Sequence, residues 1–267
     1  MLRFLAVHRV FPMYFFAPQT RQPHAIRWIA AHSTRERAVL VEIWSDIACP
    51  WCYVGKRRFE AALARFEHRD DVEVTWRSFE LDPTAPAERE GDGAQHLADK
   101  YGMSREEALA AQARLTGVAA GEGLAFRFDL ARGGNTFDGH RVLHLAASHG
   151  LQDAMKDRVM RAYLEEGELI SSAEVLERLA VEVGLDAEEV RDVLASERFA
   201  DEVRADERTA AGLGIHAVPF FVVDRKLGAS GAQPPEVLLD LLRRGWPEER
   251  VVEVVADGST CGPDGCL

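Results

Sequence analysis

Residues 44–53 have the sequence WSDIACPWCY and place two cysteines, Cys49 and Cys52, three positions apart. The preceding residues, 39–44 (VLVEIW), are rich in β-branched and aromatic side chains, which predicts a buried parallel strand. After Cys52, apolar residues recur at helical spacing as far as Phe66, with basic residues between them, which predicts a helix. We therefore expect Cys49 where the strand ends and the helix begins.

A cysteine at a helix N-terminus is well placed for nucleophilic chemistry. The N–H groups of the first turn are unpaired and the helix dipole is positive there, so both favour a thiolate. The pKa of a free cysteine is about 8.5 and falls to roughly 3.5–7.5 in such Cys-x-x-Cys pairs. Pro50 suits the first turn because its missing N–H loses no helical hydrogen bond. We predict that Cys49 is the exposed nucleophile and that Cys52, one turn later, is the resolving thiol.

Two other interpretations of this cysteine pair remain open. A Cys-x-x-Cys can be half of a zinc site, but zinc usually requires a second pair at similar spacing or nearby histidines. The other two cysteines, Cys261 and Cys266, lie at the far end of the chain. The pair could also be a structural disulfide, although so short a loop gives little stabilisation. We favour a redox-active pair without a metal.

The composition is that of a soluble globular protein. Of the 267 residues, 47% are hydrophobic and 28% are charged, enough for one domain or for a domain with an insertion. The net charge of −12 argues against a nucleic-acid partner, and no apolar run has the length that a bilayer requires. Four cysteines in two close pairs suit redox or ligand roles in a reducing compartment, so we expect a cytoplasmic protein.

Residues 1–37 are predicted to be a disordered extension, or a segment upstream of a wrongly assigned start codon. Residues 1–35 contain five arginines and no acidic residue, whereas all 44 acidic residues follow them. The best apolar stretch, residues 10–17, is interrupted by Pro12 and has no small-residue cleavage site close behind it, unlike a signal peptide. A transit peptide is the alternative, because such peptides are rich in arginine and poor in acids.

The rest of the pattern predicts an α/β domain that is split by a helical insertion. A second strand at residues 72–79 follows the first helix, which implies a right-handed parallel βαβ unit. A third strand at 217–224, a short hairpin partner and a helix starting at Pro234 complete the domain. The predicted division is 38–90 for the first half of the domain, 91–212 for an insertion of four to six helices, 213–250 for the second half and 251–267 for a tail.

Local signals mark the helices of the insertion. Capping boxes predict helix starts at Ser104, Ser171 and Asp186, each with a glutamate three residues later. Glycines that follow apolar periodic segments predict the helix ends, namely Gly102, Gly150, Gly167 and Gly184.

Separated motifs together resemble a known family. They are CPWC at 49–52 after a strand, NTFDGHR at 135–141, VPFF at 218–221 and SGAQPP at 230–235. Their order resembles the DsbA family of thioredoxin-fold proteins and, within it, the cytoplasmic FrnE-like branch. The resemblance implies a thioredoxin fold with a large all-helical insertion and a thiol–disulfide oxidoreductase or isomerase. It also implies a disulfide-containing protein or small thiol as substrate, no bound cofactor and glutathione as a candidate co-substrate.

The resemblance also implies an active-site loop made of Pro50, Trp51, Val218 and Pro219. It implies a cis peptide bond between Val218 and Pro219 beside the cysteines, whereas an ordinary trans proline opening a strand is the alternative. Trp51 stands where better-known DsbA proteins have a histidine, and indole cannot stabilise a thiolate as a histidine does. We therefore expect a less depressed pKa at Cys49 and a less oxidising pair than in periplasmic oxidants.

Further polar residues are candidates for the cleft around Cys49. The negative charge of Asp46 would raise the pKa of Cys49. Asn135 or Thr136 could simply cap a helix. His140 and His144 share a helix face at a spacing that could bind a metal, although a buried core histidine is the more ordinary interpretation. The cleft-lining candidates are Asp46, Asn135, Thr136, His140 and Ser230.

Two predictions concern the tail and a competing function. Cys261 and Cys266 flank turn-forming residues, and the resemblance implies a second redox pair that relays with the first, the alternative being an unstructured tail.

The competing function is a glutathione-dependent isomerase or transferase of the 2-hydroxychromene-2-carboxylate isomerase or kappa class. Those enzymes typically have a serine at the position of Cys49 and need no resolving thiol. A metal-binding protein that uses both cysteine pairs is a third interpretation.

Overall fold

The structure, a computed structural model, describes residues 38–246 and the backbone of Cys261–Gly262 and Gly265–Cys266. The predictions for residues 1–37 and for most of 251–267 lie outside the described residues.

A four-stranded mixed sheet forms the centre of the domain. Its strands are β1 (Val39–Ser45), β2 (Val72–Ser78), β3 (Phe220–Val223) and β4 (Leu227–Ser230). They lie in the order β2-β1-β3-β4, with β1 parallel to β2 and antiparallel to β3, and β3 antiparallel to β4. The strands predicted from alternation and apolar runs are thus confirmed. Nearly all side chains of β1 are buried, as expected for a strand that lies between two others.

The described helices fall before, within and after the insertion. They are α1 (Pro50–Ala64), α2 (Gly93–Tyr101), α3 (Arg105–Gly121), α4 (Phe137–Ser148), α5 (Gln152–Arg161), α6 (Ala173–Val183), α7 (Ala187–Ala195), α8 (Ala200–Gly212) and α9 (Pro235–Gly245). A 3₁₀ turn at Arg69–Asp71 precedes β2, and a π-helical turn at Ala162–Glu166 extends α5.

The two faces of the sheet are covered by different helices. On one face α1 and α9 pack over a core that includes Val41, Ile43 and Phe221, and each such buried side chain contributes about 1.5–3 kcal/mol. On the other face lies α8, where the indole Nε1 of Trp44 donates to the carbonyl oxygen of Asp206 at 3.0 Å. The last helix of the predicted insertion therefore packs directly on the sheet.

Residues 91–212 hold seven α-helices, α2 to α8, rather than the four to six expected. The capping box at Ser104 forms in full with Glu107, and Asp186 caps α7. The start predicted at Ser171 was wrong by one residue, because Ser172 caps α6. The hydroxyl of Ser171 instead donates to the carbonyl oxygen of Ala87, so a tertiary contact decides which of two adjacent serines caps the helix.

A small hairpin lies near the C-terminus. Strands β5 (Cys261–Gly262) and β6 (Gly265–Cys266) are antiparallel, with Cys261 opposite Cys266 in the register. The relay between this pair and the first cysteines stays a prediction. Within the described residues, no helix combines the length and the apolar character that crossing a bilayer requires.

Candidate active site

Cys49 occupies the N-cap position of α1, as predicted. Its backbone is extended, with φ −88° and ψ 110°, and Pro50 is the first helical residue. The N–H of Cys52 donates to the carbonyl oxygen of Cys49 at 3.0 Å, which closes the first turn. Both sulfurs are free thiols. The local sequence thus places the two cysteines on one turn at the carboxyl end of the central strand.

The expected exposure of Cys49 was wrong. Cys49 is only 5% exposed and Cys52 is fully buried, whereas Trp51 between them is 43% exposed. The first turn of α1 packs into the apolar core of the insertion, beside Ile47 and Phe126, and this packing covers the sulfurs. Cys49 nonetheless lines a large cavity, and Cys52 does not.

The proline loop lies against the cysteine pair. The Val218–Pro219 peptide bond is cis, as predicted. The Cys49 thiol donates to the carbonyl oxygen of Val218, with 3.7 Å between Sγ and O. No backbone hydrogen bond of Val218 occurs within the described part of the chain, whereas the Pro219 carbonyl accepts from the N–H of Gly231 at 2.8 Å. The loop is therefore tied to β4 on one side and leaves Val218 facing the sulfur.

The pKa of Cys49 moves upward, not downward as the helix terminus alone suggested. The adjacent Cys52 thiol and burial raise the pKa of Cys49 well above its ordinary value, and the charge of Asp46 acts in the same direction. The backbone N–H of Cys52 opposes them and is outweighed. The predicted effect of Asp46 is confirmed, and the predicted dominance of the helix N-terminus was wrong because the Cys52 thiol and burial outweigh it.

Asp46 is a buried carboxylate held by several donors. The N–H of Leu81 donates to its Oδ2 at 2.8 Å, and Nε2 of His140 lies 3.4 Å from its Oδ1. Burial by itself raises the pKa of Asp46, but the hydrogen bond and charge of His140 and the Leu81 N–H bring it below its ordinary value. The pKa of His140 is also below its ordinary value, in this case because burial disfavours the charged imidazolium. We infer an ionised Asp46 that accepts the Nε2–H of a neutral His140.

The cavity has a volume of about 1260 Å³ and lies between Cys49, the proline loop and the insertion. Its walls are mixed in polarity and include the apolar Leu115 and Phe128 as well as the charged Arg89 and Glu90. The predicted loop and cleft residues that line it are Asp46, Cys49, Pro50, Trp51, Thr136 and Val218.

Three predicted cleft residues and Pro219 are absent from the cavity wall. Asn135 caps α4 instead, since its Oδ1 accepts from the N–H of Phe137 at 2.8 Å. His140 is buried behind Asp46. Ser230 lies on the edge strand β4, where its carbonyl oxygen accepts from Gln233.

Sequence reasoning missed three residues near the site. His216 and Tyr163 line the cavity, and burial raises the pKa of Tyr163 to about 12. Lys156 on α5 is buried beside the cysteine pair. Lys156 belongs to a helix with other charged residues, and no local pattern distinguishes it from a solvated lysine, so only the packing of the insertion reveals it.

The paired histidines have different partners and do not converge. His144 Nε2 lies 3.2 Å from both Ser78 Oγ and Asp206 Oδ2, on the side of α4 that faces the sheet. Within the part of the chain that the structure describes, no group of three or more His, Cys, Asp or Glu side chains could hold a metal ion.

A cysteine pair at the start of the first helix, in contact with a cis-proline loop at the end of a mixed sheet, defines a thioredoxin-fold protein. The chain belongs to the DSBA-like thioredoxin domain family, whose model matches residues 40–243. At the level of the family, this supports thiol–disulfide oxidoreductase activity. The fold is the DsbA-like thioredoxin fold with a helical insertion.

Solved structures agree with this assignment. A "probable DsbA oxidoreductase" from Streptomyces coelicolor is 53% identical, over 86% of this chain and 98% of that one, with a TM-score of 0.76. The cytosolic disulfide reductase DsbM from Pseudomonas aeruginosa, solved with GSH, is 22% identical, over 77% of this chain and 98% of that one, with a TM-score of 0.55. A 2-hydroxychromene-2-carboxylate isomerase is 15% identical, over 77% and 95% of the two chains, with a TM-score of 0.58. The last two share the fold alone.

Proposed function

We propose that this chain is a cytoplasmic thiol–disulfide oxidoreductase or isomerase in which Cys49 attacks and Cys52 resolves. The observation that carries the proposal is the asymmetry of the pair. Cys49 lines the cavity with its Sγ 3.7 Å from the carbonyl oxygen of Val218, whereas Cys52 is fully buried behind it. A substrate disulfide in the cavity can therefore reach only the first sulfur.

The reaction proceeds by two exchanges. The Cys49 thiolate attacks one substrate sulfur, the substrate S–S bond breaks, and the departing sulfur takes the electron pair and a proton. Cys52 then loses its proton and attacks Cys49 Sγ, which releases the second substrate sulfur as a thiol. The substrate gains two electrons and two protons, and the cysteine pair becomes a disulfide. If the released substrate thiol attacks before Cys52 does, the substrate is isomerised instead.

The raised pKa of Cys49 supports a reductase or isomerase over a net oxidant. A strongly stabilised thiolate favours the reduced pair and makes it oxidising, as in DsbA itself. Burial, the Cys52 thiol and Asp46 act against that thiolate here. The pair is then suited to a reducing compartment, where it stays reduced and donates electrons, which supports the cytoplasmic location.

A polypeptide disulfide is the substrate that fits the cavity best. Small-molecule sites have volumes of about 300–1,000 Å³, whereas this cavity is larger, at about 1260 Å³. Among the described residues the backbone N–H of Val218 has no hydrogen-bond acceptor, so it can pair with an extended substrate segment, a common mode of peptide recognition. Glutathione is proposed only as the small thiol that returns the pair to its reduced form.

The proposal is tested by insulin reduction and by refolding of scrambled ribonuclease. The parent should be active in at least one assay, and Cys49→Ser should fall to the background rate because no nucleophile reaches the substrate. The matched variant Cys52→Ser keeps the nucleophile, so it should lose insulin reduction while accumulating mixed disulfides. An inactive parent, or a Cys49→Ser variant equal to the parent, contradicts the proposal. Conversion of an aromatic substrate with glutathione that persists in Cys52→Ala would establish the competing isomerase function.

A further inference from the structure

Two buried lysines lie beside the Trp76 ring, one on α1 and one on α5. Lys56 on α1 and Lys156 on α5 are each 1% exposed, and each Nζ lies 5.6 Å from the centroid of the Trp76 ring. Lysine is almost never fully buried unless its charge is paired. The partners of the two ammonium groups therefore show what each charge does.

Lys56 has carboxylate partners. Its Nζ donates to both oxygens of Asp153, at 2.9 and 3.0 Å, and to Glu60. Trp76 joins the same group, since its Nε1 donates to Asp153 at 2.9 Å. This lysine is neutralised locally and ties α1 to α5.

Lys156 differs, because its hydrogen-bond partner is neutral. Its Nζ donates to the carbonyl oxygen of Ser45 at 3.2 Å, at the end of β1. No carboxylate of residues 38–246 forms a salt bridge with it within 4.0 Å. A buried ammonium without a paired anion is strongly unfavourable, so a negative charge close by must compensate for it.

The negative groups that act on Lys156 belong to the redox site. Burial lowers the pKa of Lys156 to about 8, and the charges of Cys52, Asp46 and Cys49 oppose this decrease, with Cys52 the strongest. Asp46 already has the donors Leu81 N–H and His140. The positive charge of Lys56 lowers the pKa of Lys156 further. The charge of Lys156 in turn lowers the pKa of His140 on α4. Cys52 lies in the same apolar core as Met155 and Val159 of α5, which flank Lys156 in the chain, so a thiolate at Cys52 forms close to this ammonium.

We propose that Lys156 is a positioning residue for the resolving step, its buried ammonium stabilising the negative charge on Cys52 as Cys52 attacks the mixed disulfide. This inference rests on the proposed function and assigns one step of it. Cys52 releases its proton to solvent, its thiolate attacks Cys49 Sγ, and the bond from Cys49 to the substrate breaks. The departing substrate sulfur takes the electron pair and a proton from solvent. Lys156 keeps its proton throughout.

The test isolates the resolving step in the full chain. Cys49 is glutathionylated, and the release of glutathione as the Cys49–Cys52 disulfide forms is followed against pH. A positive charge close to a thiolate stabilises it, so Lys156→Met should slow release about tenfold at pH 7 and move the pH profile of release upward. Lys156→Arg keeps the charge and should stay within about threefold of the parent.

A matched control removes the same charge elsewhere. Lys226 is 79% exposed, and Lys226→Met should release glutathione at the parent rate. Equal release rates and pH profiles for the parent and Lys156→Met would overturn the inference, whatever the change in stability. If Lys156→Met does not fold, the inference is tested by NMR on the parent protein. The ¹³Cε resonance of Lys156 should titrate at higher pH in the reduced protein than in the oxidised one, and identical titrations would overturn the inference.

The two proposals fail in different ways. A parent that forms no mixed disulfide, or never releases glutathione from it, contradicts the proposed function and the inference together. A parent that releases glutathione at the same rate as Lys156→Met contradicts the role of Lys156 alone.

Discussion

At the scale of single residues, Cys49 shows that position in a helix does not decide acidity. The helix N-terminus and the Cys52 N–H favour a thiolate. Burial, the Cys52 thiol and Asp46 favour the protonated form and prevail. The dipeptide between the cysteines provides no cation to alter this balance, because Trp51 and Pro50 carry no charge.

Trp51→His should lower the pKa of Cys49, because a protonated or hydrogen-bonding imidazole beside the sulfur favours the thiolate. One pKa unit corresponds to a shift of about tenfold toward the reduced pair in the equilibrium with glutathione. The effect should be largest below about pH 6.5, where histidine is charged. Iodoacetamide alkylation against pH and the glutathione equilibrium measure it.

Trp51→Phe is the control for the loss of the indole and should change neither quantity by more than about twofold, since phenylalanine adds no charge. An alkylation profile of Trp51→His that coincides with that of Trp51→Phe would show that the dipeptide does not set the acidity of Cys49.

At the scale of elements, the close approach of α1 to the proline loop holds the site together. Gly55 on α1 has no side chain, and a Cβ there would lie 2.8 Å from Cγ of Pro219 and 3.5 Å from Cζ of Phe221. The proline ring is rigid, so the loop or the helix has to move to accommodate any larger residue. The distance between Cys49 and Val218 therefore depends on a glycine six residues from the nucleophile.

Gly55→Ala should destabilise the protein by about 1–3 kcal/mol through overpacking and should also slow insulin reduction, because the loop moves relative to Cys49. Urea unfolding and the insulin assay measure the two effects. Gly117→Ala is the matched control, since nothing lies within 4 Å of its added Cβ. It should stabilise α3 by up to about 1 kcal/mol. A Gly55→Ala variant as stable and active as Gly117→Ala would contradict this account.

At the scale of the whole molecule, buried charge pairs join the sheet to the helices that cover it. Arg77 on β2 lies 2.7 Å from Glu42 and 3.1 Å from Asp206 on α8. Glu80, just after β2, is buried and accepts from Arg204 on α8 at 2.5 Å, while its Oε1 has no partner within the described chain. Burial raises the pKa of Glu80 to about 7, Arg204 opposes this, and Glu207 adds to it.

The raised pKa of Glu80 predicts a specific pH dependence of stability. Between about pH 4.5 and 7 the folded state keeps a proton that the unfolded chain loses, so the free energy of unfolding falls as pH rises. Glu80→Gln removes this titration and should gain about 1–2 kcal/mol over the parent between pH 5 and pH 8, after allowance for solvent screening. Urea unfolding at both pH values measures the difference.

Glu73→Gln makes the same change of charge at an exposed site on β2 and should keep a constant offset from the parent. A constant offset for Glu80→Gln as well would show that Glu80 does not titrate in this range.

The amino-acid sequence by itself determined the strands, the helix behind the cysteines, the cysteine pair at its N-terminus and most helix boundaries. These features follow from side-chain periodicity and from caps a few residues apart, such as Ser104 with Glu107, so they depend only on residues close together in the sequence. The likeness of the separated motifs to a family added the cis bond at Pro219.

Only the tertiary structure decided how far Cys49 is enclosed, which of Ser171 and Ser172 caps α6, and which polar residues reach the cavity. It also placed Lys156 against Ser45, 111 residues earlier in the chain. Burial and charge pairing depend on residues that are remote in sequence and meet only when the insertion folds onto the sheet. For that reason the same local pattern that correctly located the reactive cysteine predicted the wrong direction for its pKa.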